Sequence, residues 1–265
     1  LISYISTSKA ILIGAGAGLS VSAGFNLSGE KFQKYFFDFQ KKYNITDMYE
    51  GSFYSWTKAT EFWAFMSRNI YLNRFSPIPK NTYNILYEIL KDKNYFILTT
   101  NVDHLFQRAG FDKNRLYYMQ GDMGLLQCKK PCHNKNYENY NIIKEMLIAQ
   151  GFSFDEKGEL IVGNNIKTEI NENLIPKCPI CEGEMEFNLR GGYNFVQDDG
   201  WYEHRKLYSD FIDKYKNDGI LYIEIGVGYD TPSIIKYNFF GQVSANEKSK
   251  FVTINLEKSE IPENI

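Results

Sequence analysis

The sequence predicts an α/β protein whose centre is a doubly wound parallel sheet. Several short runs of Ile, Leu, Val and aromatic residues have the length of buried strands, and each ends near Gly, Asn, Asp or Thr. Helical patterns lie between these runs, and strands that alternate with helices are typical of a parallel sheet with helices on both faces. The predicted strands cover residues 10–13, 95–99, 221–225 and 251–254.

Two segments between the predicted strands, residues 81–91 and 202–216, have helical periodicity. Their apolar residues recur at three- and four-residue steps, which places them on one face of a helix. We therefore expect two amphipathic helices. The side chains expected on the apolar faces are Ile85, Leu86, Ile89 and Leu90 in the first helix, and Leu207, Phe211 and Tyr215 in the second.

Two longer segments interrupt the alternation of strands and helices. One is rich in aromatic residues at helical spacing, and the other contains all four cysteines but little periodicity. We interpret both as modules inserted into a single catalytic unit over residues 1–265. The expected boundaries are 1–25, 77–126 and 190–265 for the sheet part, 26–76 for a helical module and 127–189 for a small cysteine-containing module.

Composition and charge argue against several classes of function. A chain of 265 residues can bury a core without disulfides, and a net charge of −2 gives no reason to expect nucleic-acid or anionic-membrane binding. No apolar run approaches the roughly 20 residues of a membrane span, and no secretory signal is visible. We therefore expect a cytoplasmic protein that binds neither nucleic acid nor membrane.

A glycine cluster follows the first predicted strand, with glycines at positions 14, 16 and 18. Glycines between a strand and a helix let the backbone approach a pyrophosphate, and the helix N-terminus favours its negative charge. The alternative is a tight turn with only a structural role. A hydride-transfer enzyme would carry an acidic residue at the end of the second strand. Because Glu30 and Asp38 end no strand pattern, the sequence argues against an ordinary dehydrogenase.

Polar residues follow the second predicted strand, at the edge where open α/β sheets bind ligands. Asn101 offers both a donor and an acceptor, and Asp103 offers a negative charge. Either side chain could instead cap a helix predicted over residues 105–109. A binding role and a capping role are both open for Asp103 on this observation.

The four cysteines form two close pairs, Cys128 with Cys132 and Cys178 with Cys181. Close pairs on tight turns gather four thiolates around Zn²⁺, and four protein ligands leave no open coordination position. We therefore predict a structural zinc ion. Free thiols, or His133 in place of one cysteine, are the alternatives.

In chain order, these motifs resemble those of the sirtuin family over almost the whole chain. Residues 16–20, Gly-Ala-Gly-Leu-Ser, are similar to the sirtuin cofactor turn, and residues 99–103, Thr-Thr-Asn-Val-Asp, are similar to the sirtuin T-Q-N-I-D motif. Gln120-Gly121 stands where sirtuins carry His-Gly, and the cysteine pairs stand where they carry a zinc module. The later resemblances are Leu189-Arg190 with residues 192–196 for the acyl-lysine segment, Gly226-Val-Gly228 for the ribose turn, and residues 254–257 for a strand end near the adenosine.

The resemblance implies a Rossmann-type sheet, NAD as co-substrate, structural Zn²⁺, and an NAD site between the sheet and a smaller zinc-containing domain. The implied catalytic residues are Asn101, Asp103 and Gln120. The implied cofactor-binding residues are Gly16, Ala17 and Gly18 at the phosphates, Asn101 and Asp103 at the nicotinamide half, Gly226, Gly228 and Asn255 at the adenosine half, and Ser20, Phe25, Thr100 and Gln120 elsewhere around NAD.

Gln120 is the first departure from the family pattern. Deacylating sirtuins use a His there as the general base that activates a ribose hydroxyl, whereas a glutamine amide cannot accept that proton at physiological pH. Loss of a positioned base typically costs about 10²–10⁴ in rate, so we expect deacylation to be weak or absent. ADP-ribosyl transfer does not need the 2′-hydroxyl to be deprotonated, so Gln120 agrees with that reaction.

The second departure is the missing P-D-F-R stretch after Gly24, which leaves Phe25 and Phe32 as candidates to shield the nicotinamide pocket. Near Gln120, Asp122 could position or deprotonate an acceptor, or be a solvated turn residue. His104 could serve as a base, or be a capping or surface residue.

The combination of motifs resembles the macrodomain-linked class of microbial sirtuins. This resemblance implies protein ADP-ribosylation, with a lipoylated carrier protein as acceptor and a macrodomain hydrolase acting on the same mark. The first hypothesis is therefore an NAD-dependent protein ADP-ribosyltransferase. The second is a deacylase in which Asp103 or His104 supplies the base. The third is a non-catalytic NAD or ADP-ribose binding module, which the polar groups at the nicotinamide end argue against.

Overall fold

The computed structural model describes residues 1–191, 193–256, 260–263 and 265. Gly192 and Glu257, which fall in two of the segments that resemble sirtuins, lie outside the described residues. The chain forms two compact units, each built from separate stretches of sequence. The sheet unit contains Leu1–Ala23, Lys80–Gly121 and Gln197–Ile265, and the helical unit contains Gly24–Pro79 and Asp122–Val196.

Strands and helices are numbered separately in chain order. The strands are β1 (Ile11–Ala15), β2 (Tyr95–Thr99), β3 (Leu116–Tyr118), β4 (Gly121–Cys128), β5 (Tyr137–Glu138), β6 (Ser153–Phe154), β7 (Leu160–Ile161), β8 (Met185–Leu189), β9 (Leu221–Ile225) and β10 (Lys250–Ile254). The α-helices are α1 (Ile2–Thr7), α2 (Ala17–Ser22), α3 (Glu30–Tyr43), α4 (Met48–Ser52), α5 (Ala59–Ile70), α6 (Thr82–Leu90), α7 (Leu105–Arg108), α8 (Tyr140–Ala149), α9 (Asp199–Tyr215) and α10 (Lys236–Ser244).

The core of the sheet unit is a parallel sheet with the strand order β10-β9-β1-β2-β3. β1 is buried along its whole length, and its Ile11 pairs with Tyr95 on one side and Leu221 on the other. The chain adds strands first on the β2 side and later on the β9 side, so the order reverses at β1. Ligands bind at the carboxyl ends of strands beside such a reversal. The predicted doubly wound fold is confirmed; four of the five strands of this sheet were predicted, and the three-residue β3 was not.

Helix α6 lies where the sequence predicted a helix, and its predicted apolar face is correct for Leu90, which is buried, and for Leu86, which is half-buried. Ile85 and Ile89, expected on the apolar face, are 53% and 47% exposed, whereas Tyr83 and Leu90 are buried. The prediction ranked side chains by aliphatic character alone. Tyr83 faces inward, where its ring packs 4.9 Å from the ring of Phe106 and its hydroxyl lies 3.0 Å from Ser20 Oγ.

Helix α9 agrees more closely with its predicted apolar face. It begins after Asp198, whose carboxylate accepts a hydrogen bond of 2.8 Å from the Trp201 backbone N–H. Phe211 is half-buried, and its ring lies 5.5 Å from the ring of Phe96 on β2. Leu207 and Tyr215 are also half-buried.

The helical unit contains an aromatic core formed by α3 and α5. The rings of Phe36 and Phe39 lie 4.7 and 5.2 Å from the ring of Phe65. Arg68 is fully buried and forms a two-pronged ion pair with Asp38 at 2.6 and 2.8 Å. A pair of this geometry satisfies the guanidinium despite its burial. Asp38 thus has a structural role, and it lies in α3 rather than at a strand end.

Helix α8 lies in the segment that seemed to lack periodicity. Its buried residues Ile143, Met146 and Leu147 follow the three- and four-residue spacing of an amphipathic helix, so the pattern was present in the sequence. The same unit contains the strand order β5-β4-β8 and the hairpin β6-β7. Across the described residues, every helix is too short or too polar to span a membrane.

Candidate functional site

The glycine turn between β1 and α2 packs backbone against backbone. A Cβ atom on Gly16 would lie 2.6 Å from the Gly226 carbonyl oxygen, and one on Gly18 would lie 2.7 Å from the Gly226 Cα. Gly226 itself has a φ of 61°, and a Cβ there would lie 2.3 Å from the Leu19 nitrogen. The glycines therefore have a structural cause, the close approach of two turns at the carboxyl ends of β1 and β9.

The backbone donors of this turn are largely used within the protein. The N–H of Gly16 donates to the Ile225 carbonyl at 3.0 Å, and the N–H of Gly18 donates to the Gly226 carbonyl at 2.9 Å. Ala17 is the first residue of α2, where an N–H has no acceptor inside the helix. For phosphate binding, the turn therefore offers the Ala17 N–H, whereas the N–H groups of Gly16 and Gly18 are already paired.

A network of polar side chains lies beside the turn, where β2 ends. The Asn101 Nδ2 group donates to the Gly16 carbonyl and to Ser20 Oγ, both at 3.0 Å. Ser20 donates a short hydrogen bond to Asp103 Oδ2, and Asp103 Oδ1 accepts the Leu105 N–H at 3.0 Å. Thus the structure brings together the side chains of three residues that the sequence analysis singled out, Ser20, Asn101 and Asp103. Asp103 both supports the start of α7 and holds Ser20.

Tyr83 belongs to the same network and was not identified from the sequence. Its hydroxyl lies 3.0 Å from Ser20 Oγ and 3.4 Å from Asn101 Nδ2. Burial, and then the charge of Asp103, raise the pKa of Tyr83 well above its ordinary value, so the hydroxyl keeps its proton. A signal for Tyr83 was present in the sequence: it is a tyrosine within an amphipathic helix. If such a tyrosine is buried, its hydroxyl requires a hydrogen-bond partner.

The last residues of β2 shape the backbone around Asn101. Thr99 Oγ1 donates to the Ala15 carbonyl and accepts the Asn101 N–H, both at 3.0 Å. The Thr100 N–H also donates to the Ala15 carbonyl, at 3.1 Å. His104 precedes α7 with a φ of 63° and makes no side-chain cap hydrogen bond. His104 is therefore the N-cap residue of α7 by position, and its carbonyl accepts the Arg108 N–H at 3.0 Å.

Gln120 lies in the turn between β3 and β4 and is half-buried. The following Gly121 has a φ of 95°, a value that favours glycine and allows the sharp change of direction. On the other side, the indole N–H of Trp201 donates to the Met119 carbonyl at 3.0 Å. The turn that carries Gln120 is therefore held by a buried side chain of α9.

Asp122 is buried and is not the solvated turn residue considered above. Its Oδ1 lies 2.6 Å from Arg74 Nε and accepts the Gly124 N–H at 2.6 Å. Arg74 lies on a π-helical turn, Tyr71–Phe75, that continues α5. Gly124 is required by this pair, because a Cβ there would lie 2.8 Å from Arg74 Nε. A carboxylate paired in this way supports the local structure.

The two candidate shielding residues have different environments in the helical unit. Phe32 is buried and stacks on Phe36 at 5.1 Å, as part of the aromatic core. Phe25 lies in the segment that leads to α3, with Lys31 Nζ 4.8 Å from its ring centre. Lys31 also donates to the Leu72 carbonyl at 3.0 Å, and burial lowers its pKa to about 8. Phe25, at 3% exposed, is buried as well, so burial does not separate the two candidates.

The residues assigned to the adenosine half follow β9 and β10. Asn255 Nδ2 donates to the Val227 carbonyl at 3.0 Å, which ties the end of β10 to the turn after β9. Gly228 is exposed, with open space where a side chain would project. Gly226, Gly228 and Asn255 therefore lie at neighbouring strand ends of the sheet unit.

The four cysteines lie together in the helical unit, with their sulfur atoms all within 4.8 Å of one another. The Sγ–Sγ distances are 3.7 Å for Cys128–Cys181 and for Cys132–Cys178. A tetrahedral zinc site with Zn–S bonds of about 2.3 Å has sulfur–sulfur edges of about 3.8 Å. The arrangement therefore fits a four-thiolate zinc site.

His133 lies beside this cluster, with Nε2 3.3 Å from the Cys178 sulfur. Burial acts to raise the pKa of Cys178, but the N–H groups of Cys181 and Ile180, together with His133, outweigh it and lower the pKa to about 6. His133 thus has the position of a residue that orients a ligand from outside the metal's own coordination sphere.

Known proteins are similar in sequence to this chain along most of its length. A family model described as the Sir2 family matches residues 16–189. A protein ADP-ribosyltransferase of Staphylococcus aureus is 34% identical over 262 residues, covering 98% of this chain and 78% of that protein. A probable bifunctional ADP-ribose hydrolase/ADP-ribosyltransferase of Fusarium oxysporum is 26% identical over 241 residues, covering 88% of this chain and 38% of that protein.

Solved structures share the fold. A structure of Sir2 bound to acetylated peptide matches with a TM-score of 0.57 at 18% identity, covering 97% of this chain and 86% of that one. A Sir2 homolog in complex with NAD matches with a TM-score of 0.54 at 15% identity, covering 97% and 82%. Since the family model spans more than half of the chain and the Staphylococcus relative aligns with nearly all of it, this protein belongs to the Sir2, or sirtuin, family.

Proposed function

We propose that this sirtuin is an NAD-dependent protein ADP-ribosyltransferase. The proposal is carried by Gln120, which stands in the turn after β3 where deacylating sirtuins use a histidine base. An amide has no basic site at neutral pH, so it can only hydrogen-bond a ribose hydroxyl. The 34% identity to a protein ADP-ribosyltransferase of Staphylococcus aureus supports the same reaction.

The transfer breaks the bond between ribose C1′ and the nicotinamide nitrogen. The electron pair of that bond leaves with nicotinamide. A nucleophile of the acceptor then bonds to C1′ and releases its proton. No step requires the enzyme to deprotonate the ribose 2′-hydroxyl, so Gln120 need only orient the ribose. Catalysis then consists mainly of positioning and of stabilising a positively charged ribose.

We assign the NAD-binding roles as follows. The Ala17 N–H donates a hydrogen bond to a phosphate, and Gly16 and Gly18 allow the phosphate to approach the backbone closely. Asn101 contacts the nicotinamide half, and Asp103 acts through Ser20. The further proposed contacts are Thr100 and Gln120 near the ribose, Phe25 as the shield of nicotinamide, and Gly226, Gly228 and Asn255 at the adenosine half.

Zinc, when bound, has a structural role in this proposal. Cys128, Cys132, Cys178 and Cys181 would supply all four ligands, which leaves no position for substrate. The bound ion would fix the loops that carry the two cysteine pairs. Because the ligands must be reduced thiolates, we also propose a cytoplasmic location.

The proposed acceptor is a protein, and a lipoylated carrier protein is the specific candidate implied by the sequence motifs. A macrodomain hydrolase that removes the same mark is the proposed second partner. The Fusarium relative combines ADP-ribose hydrolase and ADP-ribosyltransferase in its name, which supports a functional link between the two activities.

The test is nicotinamide release from labelled NAD, with either a lipoylated carrier protein or an acetyl-lysine peptide as acceptor. Asn101→Ala is compared with Asn114→Ala, which alters an exposed asparagine of the same unit. We expect label on the carrier with the wild type and Asn114→Ala, and none with Asn101→Ala. Release coupled to peptide deacetylation would contradict the proposal, and so would the absence of any release.

A further inference from the structure

The hydroxyl of Ser20 has one proton, and the network around it determines where that proton goes. Asp103, as a carboxylate, can only accept hydrogen bonds. Its Oδ2 is the closest partner of Ser20 Oγ, so Ser20 donates to Asp103. Ser20 Oγ must then act as an acceptor towards every other neighbour.

Two donors face the remaining lone pairs of Ser20. Tyr83 lies at 3.0 Å, and because Ser20 has no second proton, Tyr83 is the donor of that pair. The Asn101 Nδ2 group lies at 3.0 Å and donates its other hydrogen to the Gly16 carbonyl, also at 3.0 Å. The donated protons therefore run in the direction Tyr83 to Ser20 to Asp103, and both hydrogens of the Asn101 amide are directed at acceptors.

This proton count also decides the orientation of the Asn101 amide. If the amide were reversed, Oδ1 would face the Gly16 carbonyl and a Ser20 oxygen that has no proton to give. Two acceptor–acceptor contacts would replace two hydrogen bonds. Asn101 therefore keeps its NH₂ group inward. Its carbonyl oxygen is what the half-buried side chain can offer to a ligand.

We propose that Tyr83 is a positioning residue that, through Ser20, holds Asn101 so that Oδ1 accepts a hydrogen bond from the nicotinamide riboside half of the substrate. The complementary group is a hydrogen-bond donor, either a ribose hydroxyl or the carboxamide N–H₂. This inference rests on the proposed function, because it takes NAD as the ligand of the sheet edge. It adds Tyr83 to that site, gives the direction of the hydrogen bonds around Ser20, and requires a hydrogen-bond donor on the ligand.

The matched variants are Tyr83→Phe and Tyr87→Phe, which each remove one hydroxyl from α6. Tyr87 lies one turn further along, and its ring packs at 5.2 Å against Phe111. Binding of ADP-ribose is measured by calorimetry, because ADP-ribose keeps the ribose hydroxyls and cannot lose nicotinamide. We expect Tyr83→Phe to weaken binding by about threefold to tenfold, as for one lost hydrogen bond, and Tyr87→Phe to leave it unchanged.

Two further measurements separate positioning from a general loss of stability. In the ligand-free protein, the side-chain NH₂ signals of Asn101, assigned through their absence in Asn101→Ala, should be protected from solvent exchange and lose protection in Tyr83→Phe. Adding Tyr83→Phe to Ser20→Ala should cost no more than Ser20→Ala alone, because Tyr83 acts through Ser20. Retained protection in Tyr83→Phe, or additive losses, would overturn the proposal.

The ligands used also distinguish the possible outcomes. A Tyr83→Phe penalty with both ADP-ribose and NAD identifies a ribose hydroxyl as the donor, whereas a penalty with NAD alone identifies the carboxamide. Wild-type protein that binds ADP-ribose but transfers none from NAD would contradict the proposed function and leave the role of Tyr83 intact. Equal affinities of Tyr83→Phe and Tyr87→Phe for NAD as well as for ADP-ribose would overturn the role of Tyr83 while the transferase proposal stood.

Discussion

Gln120 shows how a single functional group limits the chemistry of a site. Its backbone turn is held by Gly121 and by the Trp201–Met119 hydrogen bond, so the point from which the side chain projects is fixed. What it offers there is an amide, which can orient a hydroxyl but cannot take its proton. The proposed reaction therefore depends on Gln120 only for orientation.

Gln120→Ala should accordingly lower the rate of ADP-ribosyl transfer by about threefold to tenfold, the effect of one lost hydrogen bond. The rate is measured from label on the acceptor at saturating NAD. Gln33→Ala, at an exposed position on α3, is the control and should have no effect. A loss of about 10²–10⁴ would instead indicate an essential proton-transfer role, contrary to the proposal.

Gly18 should be intolerant of a side chain for reasons of packing. Gly18→Ala places a Cβ 2.7 Å from the Gly226 Cα, in a contact between two backbones that cannot easily move apart. We expect a loss of about 1–3 kcal/mol in the free energy of unfolding, as for other overpacked sites.

The control is Gly241→Ala in α10, where a new Cβ meets open space. A helical glycine replaced by alanine should stabilise the protein by about 0.5–1 kcal/mol. Urea denaturation monitored by circular dichroism gives both values. Equal stabilities of the two variants would show that the two glycine turns are not in close contact.

Among the secondary-structure elements, α10 depends on an ion pair buried at its first residue. Lys236 Nζ lies 2.5 Å from Glu224 Oε1 on β9, and both side chains are at most 1% exposed. The Glu224 Oε2 atom has no hydrogen-bond partner within the part of the chain that the structure describes. The pair therefore joins the start of α10 to the strand that precedes the Gly226 turn.

Lys236→Met should destabilise the protein by about 3–5 kcal/mol, because it leaves a buried carboxylate without its counter-charge. Glu224→Gln combined with Lys236→Met should recover much of this loss, since no charge is then buried. Lys206→Met, which breaks an exposed pair with Asp210, is the control and should change stability by less than about 1 kcal/mol. Thermal unfolding compares the three variants, and a tolerated Lys236→Met would contradict this account.

At the scale of the whole molecule, the chain combines two units that are stabilised in different ways. The sheet unit rests on buried parallel strands. The helical unit combines an aromatic core with a cysteine cluster whose loops are tied together by zinc when the ion is bound. Metal removal should therefore affect the helical unit most directly.

We expect one zinc per purified chain by plasma mass spectrometry, and loss of that zinc in Cys178→Ser. Zinc affinity should fall as the pH is lowered, because protons compete for the thiolates. Chelation should open the segment around residues 128–181 to limited proteolysis. His133→Ala should keep the stoichiometry but bind zinc about 10–100-fold more weakly, as for other residues that orient a metal ligand. Loss of stoichiometric zinc in His133→Ala would instead make His133 a ligand.

Local sequence was sufficient for the features that depend on near neighbours. The four long strands of the main sheet are continuous apolar runs, and their polar ends identify the edge at which open α/β sheets commonly bind ligands. The cysteine cluster was predictable because zinc ligands come in close pairs on tight turns. Helix α8 was also within reach of this reasoning, since the spacing of Ile143, Met146 and Leu147 is amphipathic.

Only the tertiary structure decided the features that depend on distant partners. Tyr83 meets Ser20 across 63 residues, and Arg74 meets Asp122 across 48 residues, so no local pattern contains either contact. The orientation of α6, the burial of Asp122 and the direction of the Asn101 amide all follow from such contacts. A short sequence window shows which groups need partners, but the folded chain determines which partners they find.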